Sequence, residues 1–168
     1  DRSLVFAMSG FEGGPDSNPW LAGVGTAVHY LLAEAFELDN QKAGKQVWLV
    51  EQEVAIKPPA IPKGPVDLFH IDKGLVIDHK ALGKTSLDEI QKNGPGVVYE
   101  TQLDCYGLGL AQMGHQVNTV MLACYPRNAN PNLPFLHEMV TWSKPWDMDN
   151  AVRAVKRVET LYLRAKEL

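Results

Sequence analysis

Two short apolar runs, Val66–Ile71 and Leu75–Ala81, are divided by Asp72-Lys73-Gly74. Runs of this kind on either side of a turn signal read as a β-hairpin. No other pattern in the sequence constrains the fold as strongly. Asp67 stands in the first run and Asp78-His79-Lys80 in the second. Strand side chains alternate, so Asp78 and Lys80 share a face. Charged groups set among valines and isoleucines are costly unless paired or metal-bound. Register then decides whether the charges meet. If Lys73-Gly74 is a two-residue turn, with glycine taking the positive φ, Asp72 opposes Leu75 and Asp67 opposes Lys80. A three-residue loop with a bulge at Gly74 puts Asp67 opposite His79 and splits the group across two faces.

Other elements can be placed around this hairpin. Residues 1–18 are rich in Gly, Ser, Pro and acids and read as loop. Asn18 suits an N-cap and Pro19 the first helical position. Leu21, Val24, Val28, Leu31 and Ala35 follow at helical spacing, predicting a helix that ends near Asp39. Gly23 and Gly25 are costly inside it, which makes sense if its backbone lies close to a neighbour. Val47–Ile56 reads as a strand, broken by the prolines that follow. Leu82–Gly96 reads as a polar loop with at most one helical turn. Val97–Met113 is a helix with Gly114 beyond its end. Asn118–Tyr125 is a buried strand, Arg127–Pro134 a turn, Phe135–Trp142 a strand and Trp146–Lys166 an amphipathic helix. The order predicts one α/β domain over 1–168, with a mixed central sheet flanked by helices.

Composition narrows the class. The chain has 168 residues, enough to bury a core of its own without staples. With 45% hydrophobic and 21% charged residues, it excludes a disordered or collagen-like chain. Cys105 and Cys124 are too few for a disulfide framework or a thiolate cluster, and read as reduced core residues. The apolar stretch Leu21–Phe36 contains His29 and Glu34, so no membrane span is expected. The net charge of −4 argues against a broadly basic binding surface, although a local groove remains compatible with it.

An isolated D-x-K tripeptide is ordinarily a surface salt bridge. Three further features favour chemistry. His29 sits mid-helix, with the small residues Ala22 and Gly25 on its side, and imidazole suits divalent metals. Gln102 and Tyr106 are four apart and share a helix face, where they can hydrogen-bond a phosphate or a lysine. Two carboxylates on neighbouring strands can hold a hard cation, beside which an ammonium can position water. Finally, the pieces occur in a fixed order along the chain: G-T-x-x-H on a helix, a strand, G-x-x-D, D-x-K, and Q-x-x-x-Y on a helix.

That order resembles the PD-(D/E)XK nuclease superfamily, and within it the RecB-like branch. This branch includes the RecB and AddAB nuclease domains and CRISPR-associated exonucleases, with phage recombination exonucleases nearby. The resemblance runs from Gly25 to Tyr106, and the element order extends it to Tyr125. It implies an αβββαβ restriction-endonuclease-like core, with an extra strand and a C-terminal helix added. It also implies a metal-dependent deoxyribonuclease that acts on linear or single-stranded DNA ends in recombination, repair or phage DNA processing. His29, Asp67, Asp78 and the His79 backbone carbonyl would be ligands for Mg²⁺ or Mn²⁺. Asp67, Asp78 and Lys80 would be the catalytic residues, with Gln102 and Tyr106 beside them. Glu53 would be at most an outer neighbour of the site.

Some members of the branch hold an iron–sulfur cluster on four cysteines. This chain has two, so no cluster is expected. Ala81 follows the lysine where the family often has Thr or Ser, which removes one polar contact. Lys84 and Lys92, in the expected loop, are placed to touch DNA. Arg153, Lys156, Arg157 and Arg164 read instead as a solvated helix face. An exonuclease on linear or single-stranded DNA ends is expected, in the cytoplasm (a host's, if phage-encoded), with a recombination or helicase protein as partner. The alternatives are a structure-specific endonuclease, an inactive nucleic-acid-binding module of the same fold, a small-molecule metallohydrolase and a purely structural domain.

Overall fold

The computed structural model of the protein describes residues 19–57, 63–127, 132 and 138–166, and of residues 19–22 and 166 the backbone only. The loop expected over 1–18, with the Asn18 cap, lies outside the described residues, as does most of the turn expected over 127–134. Helix α1 (Pro19–Ala43) opens the described chain. It runs past Asp39, because the Asn40 side chain fastens its last turns to the next strand. Asn40 accepts from the Val47 and Trp48 amides and donates to the Trp48 carbonyl at 2.8–2.9 Å. Gly44, at φ +63°, ends it. Strands β1 (Trp48–Val54), β2 (Gly64–His70) and β3 (Leu75–Leu82) follow. Helices α2 (Lys84–Asn93) and α3 (Gly96–Gln112) then cross to β4 (Thr119–Pro126). Strand β5 (Val140–Pro145) and helix α4 (Met148–Lys166) complete the fold.

The five strands form one sheet in the order β1-β2-β3-β4-β5. Only β3 and β4 are parallel; the other neighbours are antiparallel. This matches the expected mixed α/β architecture. Helix α1 covers one face, where Val28, Leu32 and Phe36 pack on Leu68, Ile77, Ala123 and Tyr125. The other face is covered by α2 and α3, whose Leu87, Ile90, Leu103 and Leu110 meet Phe69, Val76, Val120 and Leu122. Helix α4 packs on the outside of α3, through Leu108, Ala151 and Val155.

Several expectations are corrected. Leu82–Gly96 is largely helix α2, not loop. Leu87 and Ile90, three apart, bury one face, and Lys84–Asp88 and Glu89–Asn93 pair along the other. The hairpin turn has four residues, Ile71–Gly74, because His70↔Leu75 is its innermost pair. Ile71 packs against the core, and Gly74 takes φ +60° where a side chain would strike the Gln116 carbonyl. The register Leu68↔Ile77 therefore carries Asp67 opposite Asp78, not opposite Lys80. Gly23 and Gly25 face open space, so they serve no close approach. The close approaches are at Gly107, under Trp146, and Gly109, where an added Cβ would lie 2.8 Å from Val54. Strand β5 lies further along than expected; the start of the run expected at Phe135 falls among residues 133–137, outside the described set. No helix among the described residues is long and apolar enough to cross a membrane.

Candidate active site

The β1 and β2 strands change character at the same level. Their ladder pairs Val50↔Leu68 and Gln52↔Val66 but skips Glu51 and Asp67, which face each other between them. Glu51 has φ +48°, a left-handed conformation uncommon outside glycine and asparagine. The alternation of side chains slips there: Leu49 and Val54, five apart, pack in the same core cluster. Val66 and Phe69, three apart, do likewise on β2. Such strain is held by its surroundings, and it commonly marks a functional position.

On the other side of β2, the hairpin ladder stops at Leu68↔Ile77. Asp67 continues the link through its side chain, with Oδ2 accepting the His79 amide at 2.7 Å. Its carboxylate thus sits in the seam between β2 and β3. From α1, His29 Nδ1 reaches to 3.5 Å from Asp67 Oδ1 and 3.9 Å from Glu51 Oε1. His29, Glu51 and Asp67 each offer a ligand atom, and these atoms lie within 4.8 Å of one another. Asp78 lies outside this trio. Its Oδ2 is 2.5 Å from Lys80 Nζ and lacks a well-oriented hydrogen-bond donor. Asp78 and Lys80 share the α3 face of β3, as alternation requires. His79 points the other way, with its ring near Phe36 and its Nδ1 sharing a hydrogen bond with the Tyr125 hydroxyl at 3.2 Å.

Burial sets the electrostatics. Asp78 is 1% exposed, and desolvation pushes its carboxyl up to about 6 against the pull of Lys80. Burial also raises Asp67, opposed by the His79 amide, His29 and Lys80. Burial alone would depress the Lys80 ammonium, but Asp78 and Asp67 outweigh it and hold the group above its ordinary value. Lys80 is therefore an acid and a donor at neutral pH, not a base. His79 is pushed down to about 4, first by burial and then by His29 and Lys80. Its ring is neutral, and its amide is the part that serves Asp67.

Helix α3 closes the site from the Lys80 side. The Gln102 amide donates to the Tyr106 hydroxyl at 2.7 Å. Burial raises the Tyr106 phenol, and Asp78 and Asp67 raise it further, so it lies within the field of the carboxylates. Lys80 Nζ stands 5.7 Å from the Tyr99 ring centroid. Lys84 and Lys92 are exposed on α2, and Lys84 is paired with Asp88 at 2.9 Å. Cys105 and Cys124 lie on α3 and β4, and burial pushes both thiols up to about 11.

Glu51 is the residue that sequence reasoning missed. Trp48–Val54 reads as a regular strand, and only a glycine or asparagine would have signalled a positive φ there. Glu53, weighed as the outer acidic neighbour, is exposed and pairs with Lys63 at 3.3 Å.

Neither a family profile nor a curated protein sequence matches the chain. Solved structures do. A phage-related exonuclease from Haemophilus somnus 129PT superimposes with a TM-score of 0.61 at 14% identity, over 94% of this chain and 74% of that one. An alkaline exonuclease from Laribacter hongkongensis gives 0.55 at 17% identity, over 98% and 80%. The fold is shared with two exonucleases. At these identities the likeness is one of architecture, and the chemistry must be argued from the site.

Proposed function

We propose that the chain is a metal-dependent deoxyribonuclease of the PD-(D/E)XK superfamily, in its RecB-like branch, acting as an exonuclease on DNA ends. The observation that carries the reading is the buried group itself. Asp67 and Asp78 stand opposite each other where β2 and β3 part, with His29 and Glu51 grouped with Asp67 and Lys80 paired to Asp78. Burying two carboxylates on neighbouring strands costs a fold stability that a purely structural role does not recover. The exonuclease neighbours favour the same reading.

The residues fit a divalent cation. One imidazole and a set of carboxylates form the donor set of Mg²⁺ or Mn²⁺ sites, and Asp78 Oδ2 is buried without a well-oriented donor. His29, Glu51 and Asp67 would hold the ion. Asp78 and the His79 carbonyl would add to them as Asp78 turns from Lys80. When bound, such an ion supplies positive charge to a phosphodiester and lowers the pKa of water.

The chain's own groups have separate tasks. Asp67 ties the site to the backbone through the His79 amide, so the carboxylate is held before substrate arrives. Lys80 keeps its proton and donates it in hydrogen bonds, either to an attacking water or to a phosphate oxygen gaining charge in the transition state. Tyr106, oriented by Gln102, presents a hydroxyl on the same side. Water attacks phosphorus in line with the leaving oxygen, and no covalent intermediate on the protein is required.

The test is incubation of end-labelled linear DNA with Mn²⁺, Mg²⁺ or EDTA. Linear DNA should be degraded with metal and preserved in EDTA, while covalently closed circles of the same sequence should survive. Asp78→Ala and Lys80→Ala should each remove most activity, the first with weakened metal binding and the second with much of it spared. Cleavage that survives chelation would refute the metal reading. Rapid nicking of closed circles would replace exonuclease with endonuclease.

A further inference from the structure

We infer that a single strand of DNA runs along the groove between the start of α3 and the outer face of α4, with its phosphates on Arg153 and Arg157 and its bases against Val97 and Val98. The inference rests on the nuclease reading above and assigns it a substrate path. Val97 and Val98 are 75% and 74% exposed, more than any other large hydrophobic side chain among the described residues. They follow the Gly94-Pro95-Gly96 turn, where both glycines take positive φ. Across from them, Arg153 and Arg157 stand four apart on one face of α4, and both are exposed. Val97, Val98, Thr101, Arg153, Arg157 and Val158 line one groove together, and no carboxylate lines it. The chain as a whole has 20 acidic and 16 basic residues, so an acid-free groove with two guanidinium groups is a local departure.

Position joins this groove to the site. Val98 stands one turn before Gln102 on α3, and Tyr99 beside it is the ring under Lys80. A strand leaving the carboxylates past Tyr106 and Gln102 meets Val98 next, then the arginines. The groove is also rigidly set. Asp104 of α3 is fully buried and accepts from Asn150 Nδ2 and Lys144 Nζ at 2.7 Å, which fixes the start of α4 against α3. Single-strand sites combine cations that track the backbone with surfaces that bases pack against, most often aromatic; here the arginines supply the cations and the exposed valines an apolar, non-stacking contact. The lysines at 84 and 92 lie on α2 and do not line this groove.

The test is equilibrium binding of a fluorescein-labelled oligothymidylate in EDTA, read by anisotropy over a series of salt concentrations. Hydrolysis plays no part in it. Arg153→Gln/Arg157→Gln should weaken binding at least tenfold at low salt and flatten the plot of log affinity against log salt by about 1.4, since each single-strand phosphate contact contributes roughly 0.7. Val97→Ser/Val98→Ser should weaken binding about fivefold with the slope unchanged, as the loss of buried apolar contact without any phosphate contact requires. Lys156→Gln, on the α4 face that lines a different groove with Lys57, should bind as wild type does. Unchanged affinity and slope in the arginine variant would overturn the path, and so would an equal loss in Lys156→Gln. A wild-type protein that self-associates, and loses association but not DNA binding with the valine changes, would make the groove an interface between copies and overturn the path too. Binding as expected, in a protein that cleaves nothing with Mn²⁺, would keep the path and refute the nuclease reading.

Discussion

Lys80→Met removes the charge that faces Asp78 and keeps most of the side-chain length. Asp78 is 1% exposed and rises from 3.8 to about 6 even with the ammonium present. Ionising it in the folded protein therefore costs about 3 kcal/mol, at roughly 1.4 kcal/mol for each tenfold change in acidity. Without Lys80 the carboxylate is a buried charge with no counter-ion, and breaking such a pair costs about 3–5 kcal/mol. The sign with pH follows. The folded value is raised above the unfolded one, so the carboxyl's stabilising contribution is full below about 4 and is lost as pH rises through the folded value. That value moves above 6 in the variant. Urea unfolding in EDTA, followed by tryptophan fluorescence, should show a deficit of about 3–5 kcal/mol at pH 8 and under about 1.5 kcal/mol at pH 5, where Asp78 is protonated in both proteins. Mn²⁺ at pH 8 should recover part of the deficit, by placing a cation where the ammonium was. Equal deficits at both pH values, or one below about 1 kcal/mol at pH 8, would refute the reasoning, because Asp78 would then not be paying for its burial.

Glu51→Gly relieves the left-handed strain in β1 and should stabilise the protein in EDTA by about 1 kcal/mol, while weakening Mn²⁺ binding at least tenfold by calorimetry. A loss of stability would show that the carboxylate, not the backbone, holds that kink. His79 titrates oppositely to Asp78. Its value is depressed to about 4, so its contribution is present above about 6.5 and is lost on acidification. Denaturation in EDTA should therefore be nearly flat from pH 6.5 to 4.5 in the wild type, whereas His79→Phe should gain stability as pH falls; a variant that loses stability instead would contradict the assignment. Asp104→Ala strands Lys144 and Asn150 and leaves the Asp147 amide, 3.2 Å from Asp104 Oδ1, without its acceptor. It should cost about 3–5 kcal/mol in thermal or urea unfolding, and a loss under about 1 kcal/mol would mean that water replaces the carboxylate.

Local pattern carried the sequence reading a long way, and it failed where distant segments decide. Helix and strand identities for α1, α3, β1–β4 and α4 follow from period and turn residues, because each depends on its own neighbours. Helix α2 leaves little trace in the sequence because its apolar face has only Leu87 and Ile90, and their value comes from the core beneath them. The turn is two residues longer than its turn residues suggest because Gly74 answers to β4. Its carbonyl accepts the Asn118 and Thr119 amides, and Asn118 Nδ2 reaches the Lys73 carbonyl. That constraint lies more than forty residues away in the sequence.

The sequence by itself determined the chemistry available to the hairpin, since Asp67, Asp78 and Lys80 have few stable places among valines and isoleucines. It also determined that β3 would present Asp78 and Lys80 on one face, because alternation is local geometry. Only the tertiary structure decided who joins them. Glu51 enters because β1 kinks opposite Asp67, and His29 because α1 lies across that kink. The α4 arginines gain a partner surface because Asp104 locks α4 onto α3. Each is a meeting of segments remote in the chain, fixed by which faces bury together, and no local propensity encodes it.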